Sequence, residues 1–141
     1  MDKHTDNFKR GLEVLAKIDP ENYKDIVNSF ESSVLSDLGT LAVEFNYGQI
    51  FSRPGLDLKS RLLATVAGLT ALGNTEQLKF YINGALNVGW TEKEILEAML
   101  QMLIYAGFPV ALNTILTVAN EVFSERREKN LLNKKEKQND Y

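Results

Sequence analysis

The sequence predicts an all-α protein, and three observations predict it. Large apolar residues recur at spacings of three and four along almost the whole chain. No alternating run of apolar and polar residues is long enough for a sheet strand. The breaks between the periodic runs carry residues that stop and start helices: Asp19-Pro20, Arg53-Pro54-Gly55, Asn87-Val88-Gly89 and Gly107-Phe108-Pro109.

Phe8, Leu12 and Leu15 mark a first amphipathic helix ending at Asp19-Pro20, where Asp19 is placed to cap the next helix and Pro20 to open it. Tyr23, Ile26, Val27 and Phe30 form an apolar stripe on that second helix. Leu38, Leu41, Ala42 and Phe45 do the same for a third, which Tyr47-Gly48 is expected to close. After the Pro-Gly break, Asp57 is an N-cap for a helix running to about Gly73, apolar on nearly all sides from Leu62 to Leu72. Thr75 is expected to cap a further helix carrying Leu78, Tyr81, Ile82 and Ala85. Thr91-Glu92-Lys93-Glu94 has the form of a capping box, in which hydroxyl and carboxylate satisfy backbone donors reciprocally. Ile95, Met99, Met102 and Leu103 continue that helix to Gly107, and Pro109 begins a last one with Leu112, Ile115, Leu116, Ala119 and Phe123. The methionines read as packing.

The 23 residues from Ala98 to Asn120 carry no charge, which is long enough to cross a bilayer. Gln101, Asn113, Thr114 and Thr117 are polar, however, and Gly107-Phe108-Pro109 breaks the middle. Two buried helices meeting at a corner are expected, and no membrane partner.

With 141 residues, 44% of them hydrophobic, the chain can bury one core. A single helical domain over residues 1–125 is expected, with a charged tail at 126–141 that projects outward and ends in mobile residues. The absence of cysteine removes disulfides, thiolate metal sites and thiol catalysis together. The only histidine is His4, so Ser-His-Asp triads and histidine-held metals lose their central part. Residues 1–123 hold 10 basic and 15 acidic side chains, a balance that speaks against a nucleic-acid partner. The start of the chain has no secretory pattern, so a cytoplasmic location is expected.

Gly55-Leu56-Asp57-Leu58-Lys59-Ser60-Arg61, Ala71-Leu72-Gly73, Asn83-Gly84-Ala85-Leu86-Asn87 and Tyr105-Ala106-Gly107-Phe108-Pro109 together resemble the carboxymuconolactone decarboxylase family. Phe8-Lys9-Arg10-Gly11-Leu12-Glu13 and Glu44-Phe45-Asn46-Tyr47-Gly48 extend the resemblance over nearly the whole chain. The resemblance implies an alkylhydroperoxidase D-like helical subunit, assembled with copies of itself as a homotrimer or homohexamer. It also implies a lyase that releases carbon dioxide from a carboxylated muconolactone, on the bacterial route from aromatic acids to β-ketoadipate, with no cofactor. Apolar surface beyond what one small subunit hides supports the assembly independently.

The departures are specific. Where the peroxidase branch of the wider group has a glutamate, a Cys-x-x-Cys pair and a histidine, this chain has Leu62, Thr75, Leu78 and Tyr81. Where the decarboxylase branch usually has two histidines, it has Tyr81 and Gln101. Thiol peroxidase chemistry is therefore excluded, and two functions stay open: a cofactor-free decarboxylase, or a homo-oligomeric member that has lost the histidine relay and serves another role.

Decarboxylation of an unsaturated lactone needs a stabilised carbonyl oxygen and one proton. Tyr81 can donate either a hydrogen bond or the proton, or be a core aromatic with its hydroxyl at the edge. Gln101 can donate to an oxyanion, or satisfy backbone in a buried or interface position. Arg53, Lys59 and Arg61 flank the Pro-Gly break and the following helix start, where they could hold a small anionic organic substrate or form a solvated entry, the reading that suits Lys59. Arg61, one turn into an apolar helix, needs a partner or a ligand. Glu97 could be that partner, a general acid, or surface. If the chain is a lyase, Arg61, Tyr81 and Gln101 are expected to line its pocket, with Arg53 and Glu97 contributing to substrate binding.

Overall fold

In the computed structural model, residues 5–32, 34 and 36–139 are described, so His4 lies outside the described residues. These residues form helices and no strand, the all-α architecture expected of an alkylhydroperoxidase D-like subunit. The chain divides into two compact units, the first ending at Ala64 and resuming over Asn83–Trp90, the second comprising Thr65–Ile82 and the chain from Thr91 onward.

The first unit contains α1 (Asp6–Ile18), α2 (Tyr23–Glu31), α3 (Ser36–Ala42), a π-helix (Val43–Phe51), the start of α4 (Leu58–Leu72) and the end of α5 (Thr75–Asn87). The Thr5 hydroxyl accepts the Phe8 N–H and caps α1, whose Phe8, Leu15 and Ile18 are buried as their spacing requires. At the other end the Asn87 side chain donates to the Ile18 carbonyl at 2.8 Å, satisfying one of the acceptors a helix C-terminus leaves open. Pro20–Asn22 forms a turn, so α2 begins three residues later than the Asp19-Pro20 pair predicts, with the Asp19 carboxylate accepting the Asn22 N–H.

The third helix also differs from expectation. It passes from α3 into the π-helix and continues to Phe51, so Tyr47-Gly48 does not end it. Gly48 has another role: a methyl group there would sit 2.0 Å from the Asn7 carbonyl oxygen, and one at Gly11 would sit 2.3 Å from that of Val43. These two glycines let α1 and the π-helix meet backbone to backbone. Leu38, Leu41 and Phe45 lie in one stripe, as predicted, but that stripe is exposed.

The second unit holds the rest of α4 and α5, then α6 (Glu92–Gln101), α7 (Leu103–Ala106), α8 (Phe108–Asn113), a second π-helix (Thr114–Ala119) and α9 (Asn120–Asn139). The capping box forms as predicted, with Thr91 Oγ1 accepting the Glu94 N–H and the Glu94 carboxylate accepting the Thr91 N–H. The cap of α5 is Asn74, whose side-chain oxygen accepts the Gln77 N–H, one residue before the predicted Thr75. Gly107, at φ +86°, turns the chain between α7 and α8 and divides the uncharged stretch. No helix among the described residues is long and apolar enough to cross a membrane. Val66, Leu78, Ile82, Ile95, Met99, Val122 and Phe123 are buried, whereas the last turns of α9 run exposed through the charged segment to Asn139.

Candidate functional site

The first π-helix delivers Phe51, Ser52 and Arg53 to the edge of a cavity of about 310 Å³. π-Helical turns are rare and recur at functional sites because the wider turn re-aims side chains at its end. One wall is the stripe Arg10, Glu13, Val14 and Lys17 of α1, and the other is the chain from Phe51 to Leu58. Val14, Phe51, Pro54, Leu56 and Leu58 supply apolar surface, and Arg10, Lys17 and Arg53 supply three cations. Such a volume suits a small organic molecule.

Two carboxylates also line it, and they differ in availability. Asp57 caps α4, accepting the Ser60 N–H at 2.9 Å and the Ser60 hydroxyl at 2.8 Å. Those hydrogen bonds hold its carboxyl below the ordinary 3.8, so its charge is committed to the helix start. Glu13 stands exposed between Arg10 and Lys17 on α1.

Arg53 is exposed on the cavity wall, and Arg61 is half-buried behind the same turn. The Arg61 guanidinium donates to the Leu56 carbonyl at 2.9 Å and the Arg53 carbonyl at 3.1 Å. The partner that its position demands therefore includes the backbone of the Pro-Gly turn, which it fastens at both ends. Lys59 lies 4.5 Å over the Trp90 ring, and the indole N–H donates to the Lys59 carbonyl at 2.7 Å. That contact accounts for Lys59 as part of a helix entry.

The remaining predicted residues belong to the second unit. Tyr81 is buried, with its ring edge-on to Phe80 at 5.0 Å between centroids. Glu97 and Gln101 are exposed one turn apart on α6. Thus the structure brings Arg53 and Arg61 together at one turn and Glu97 and Gln101 together on one helix face.

A second cavity, of about 570 Å³, lies within the second unit against its π-helix. Thr75, Glu76, Lys79, Asn113, Thr117, Val118 and Glu121 line it. Lys79 bonds to Glu121 at 3.0 Å and Glu125 at 3.1 Å, and these bonds raise its pKa. With its single cation so paired and Glu76 also present, this wall has the wrong sign for an organic anion.

The model of the carboxymuconolactone decarboxylase family matches residues 36–121, which include the Pro-Gly turn, Arg53, Arg61, Tyr81 and Gln101. The chain belongs to this family. It is 35% identical to a 4-carboxymuconolactone decarboxylase of Acinetobacter baylyi over 120 residues, 84% of this chain and 87% of that one. It is also 33% identical to a nitrosuccinic acid decarboxylase of Metarhizium robertsii over 82 residues, 58% of this chain and 57% of that one. A 15.0 kDa protein of Paracoccus denitrificans is 38% identical over 88 residues, 61% of this chain and 65% of that one. The family match begins after α1, so the α1 wall of the first cavity lies outside it. Arg10, Glu13 and Lys17 do not stand out in the sequence, because the apolar stripe is the dominant signal of α1. The signal was present as charges at i, i+3 and i+7 along one flank of that stripe.

Proposed function

We propose that this protein is a cofactor-free carboxy-lyase that releases carbon dioxide from a small carboxylated lactone. The observation that carries the reading is the position of Arg53 on a cation-lined cavity in a chain of this family. An arginine fork binds a carboxylate through two parallel hydrogen bonds and keeps its charge throughout. Holding one carboxylate fixes the molecule while another leaves as carbon dioxide. The electron pair passes through the ring alkene onto the lactone carbonyl, and a proton taken from solvent water is then added at carbon as carbon dioxide departs. Arg61 serves this chemistry by fastening the turn that bears Arg53. Tyr81 and Gln101 stand at the places where the family resemblance marks histidines and are proposed hydrogen-bond donors in the chemistry, although neither lines the cavity that Arg53 borders.

Two names among the relatives, a 4-carboxymuconolactone decarboxylase and a nitrosuccinic acid decarboxylase, support loss of carbon dioxide as the shared chemistry. We further propose a cytoplasmic homotrimer or homohexamer, with residues 1–125 as the working body and 126–141 as an appendage. Exposed Ile104, Tyr105 and Phe108 around the Gly107 corner support self-assembly, since a monomer rarely leaves such neighbours in water.

The test is carbon dioxide release from 4-carboxymuconolactone by the purified full chain. Turnover that falls about 100-fold or more in Tyr81→Phe, with the assembly unchanged, supports the reading. No release from the unmodified protein removes the lyase assignment and leaves a family member whose relay has been lost. Turnover equal in Tyr81→Phe and the unmodified protein removes Tyr81 from the chemistry.

A further inference from the structure

We infer that the exposed end of α9 is an arm that docks on a second copy of this chain, laying Leu131 and Leu132 on the stripe of Leu38, Leu41 and Phe45 and matching lysines to the acidic residues beside that stripe. This goes beyond the self-assembly read from the Gly107 corner, because it gives the tail a role and names the surface that receives it. It rests on that reading only in taking copies of the chain to meet.

The receiving face is built by α3 and the π-helix that continues it. Gly39 and Val43 hold the inner side: a methyl group at Gly39 would lie 2.1 Å from the Phe30 Cβ of α2, and Val43 is buried against Gly11 of α1. Leu38, Leu41 and Phe45 follow one another at i, i+3 and i+7 on the other side, each more than half exposed. The charge around them has one sign. Residues 25–52 contain Asp25, Glu31, Asp37 and Glu44 and no lysine or arginine. Asp37 is exposed four places before Leu41, and Glu44, three places after it, accepts the hydrogen of the Thr5 hydroxyl.

The arm is the reverse in charge. Buried Val122 and Phe123 anchor α9, and every residue from Arg127 to Asn139 is exposed. Residues 128–139 make about 18 Å of helix with no buried side chain, and a lone stretch of that length is marginal in water. Residues 126–139 hold six basic and two acidic side chains. Lys134 and Lys135 have no acidic residue three or four places away, so pairing along the helix does not neutralise them. Lys135 follows Leu131 at i+4 and Leu132 at i+3, so the leucines and the lysine share one face. An apolar pair beside cations thus answers an apolar stripe beside anions, and both stand exposed on the single chain. A contact of this size is below what holds a dimer by itself, so the arm adds grip to copies already side by side. It lies beyond the family match at residues 36–121, which therefore does not account for it.

The absence of cysteine from the chain makes the test clean. Asn133→Cys is placed in one tagged copy of the full chain and Asn46→Cys in another, both at exposed positions next to the faces concerned. The two are co-expressed, purified as mixed assemblies and treated with a short bis-maleimide. A linked pair carrying both tags is expected, in a yield well above that between Asn133→Cys and a control cysteine at Gly55, where an added side chain meets nothing. Lys134→Glu with Lys135→Glu in the arm should lower the yield about threefold or more at low salt, and Asp37→Lys in the receiving copy should lower it likewise. Combining the two changes, so that a reversed arm meets a reversed face, should recover it. Recovery separates docking from a folding defect, because a damaged chain is not repaired by a second damaged one. The arm is overturned if no linked pair forms, if the control position links equally, if charge reversal leaves the yield unchanged, or if a chain carrying both cysteines links only within itself. Light scattering is read alongside: an assembly without the link removes the arm and leaves self-assembly standing, whereas a monomer at micromolar concentration removes both.

Discussion

The two units solve helix packing differently. In the first, a methyl group at Gly11, Gly39, Gly48 or Gly84 would lie between 2.0 and 2.6 Å from a neighbouring segment, so glycines let these segments touch. In the second, Gly68 faces open space, while Gly73 and Gly107 sit at turns with positive φ. Its helices meet through buried side chains such as Val66, Leu78, Ile82, Ile95, Met99 and Val122, with charged pairs at the surface, Lys79 with Glu121 and Glu125, and Arg127 with Glu92. Backbone contact leaves little freedom, whereas surface ion pairs are weak and screened by salt. The difference teaches why the cation-lined cavity is the better candidate site. Its α1 wall is set by contacts that cannot slide, and its opposite turn is fastened by Arg61.

The largest effect that sharpens this comparison is expected at the glycines. Gly48→Ala should lower unfolding stability by about 3 kcal/mol or more, because a backbone carbonyl cannot step aside as a side chain can. Gly68→Ala, inside α4 with room around it, should raise stability by about 0.5–1 kcal/mol. Denaturant titration of both variants decides the matter, and equal behaviour would break the contrast. Next in size is the capping box of the second unit. Thr91→Ala should cost about 1 kcal/mol through the lost bond to the Glu94 N–H, read from the same titrations.

Lys79→Met should change stability by less than about 1 kcal/mol, since lysine and its partners are partly exposed, and added salt should shrink even that. The smallest effect is expected from Asp57. Hydrogen bonds from Ser60 depress its pKa in the folded protein. Its contribution is therefore complete above the ordinary value of 3.8 and is lost as pH falls through the lower folded value. The stability difference between the unmodified protein and Asp57→Ala should be larger at neutral pH than below that range. A difference that grows on acidification would contradict the capping role.

Much of the fold was legible because apolar spacing and caps are local signals. Asp57, the Thr91 to Glu94 box and Gly107 each did what their neighbours in sequence required. Other features depended on partners distant in the chain. In sequence Gly48 reads as a helix stop, whereas the Asn7 backbone that it packs against lies forty-one residues away in the chain. The π-helical turns carry no periodic signature, because the same apolar residues serve either winding. At the site, Arg53 was readable from the Pro-Gly break, but the carbonyls that hold Arg61 and the α1 flank that faces the turn come only from the folded chain.

The central claim is that Arg53 holds a substrate carboxylate in the first unit's cavity. It is tested most directly by kcat/KM for carbon dioxide release from 4-carboxymuconolactone in the unmodified protein and Arg53→Met. A charge-assisted hydrogen bond lost from the substrate should reduce the value by about ten- to a hundredfold, with the helical content unchanged. An unmodified protein that turns the lactone over, and an Arg53→Met variant that does so equally well, would contradict the account.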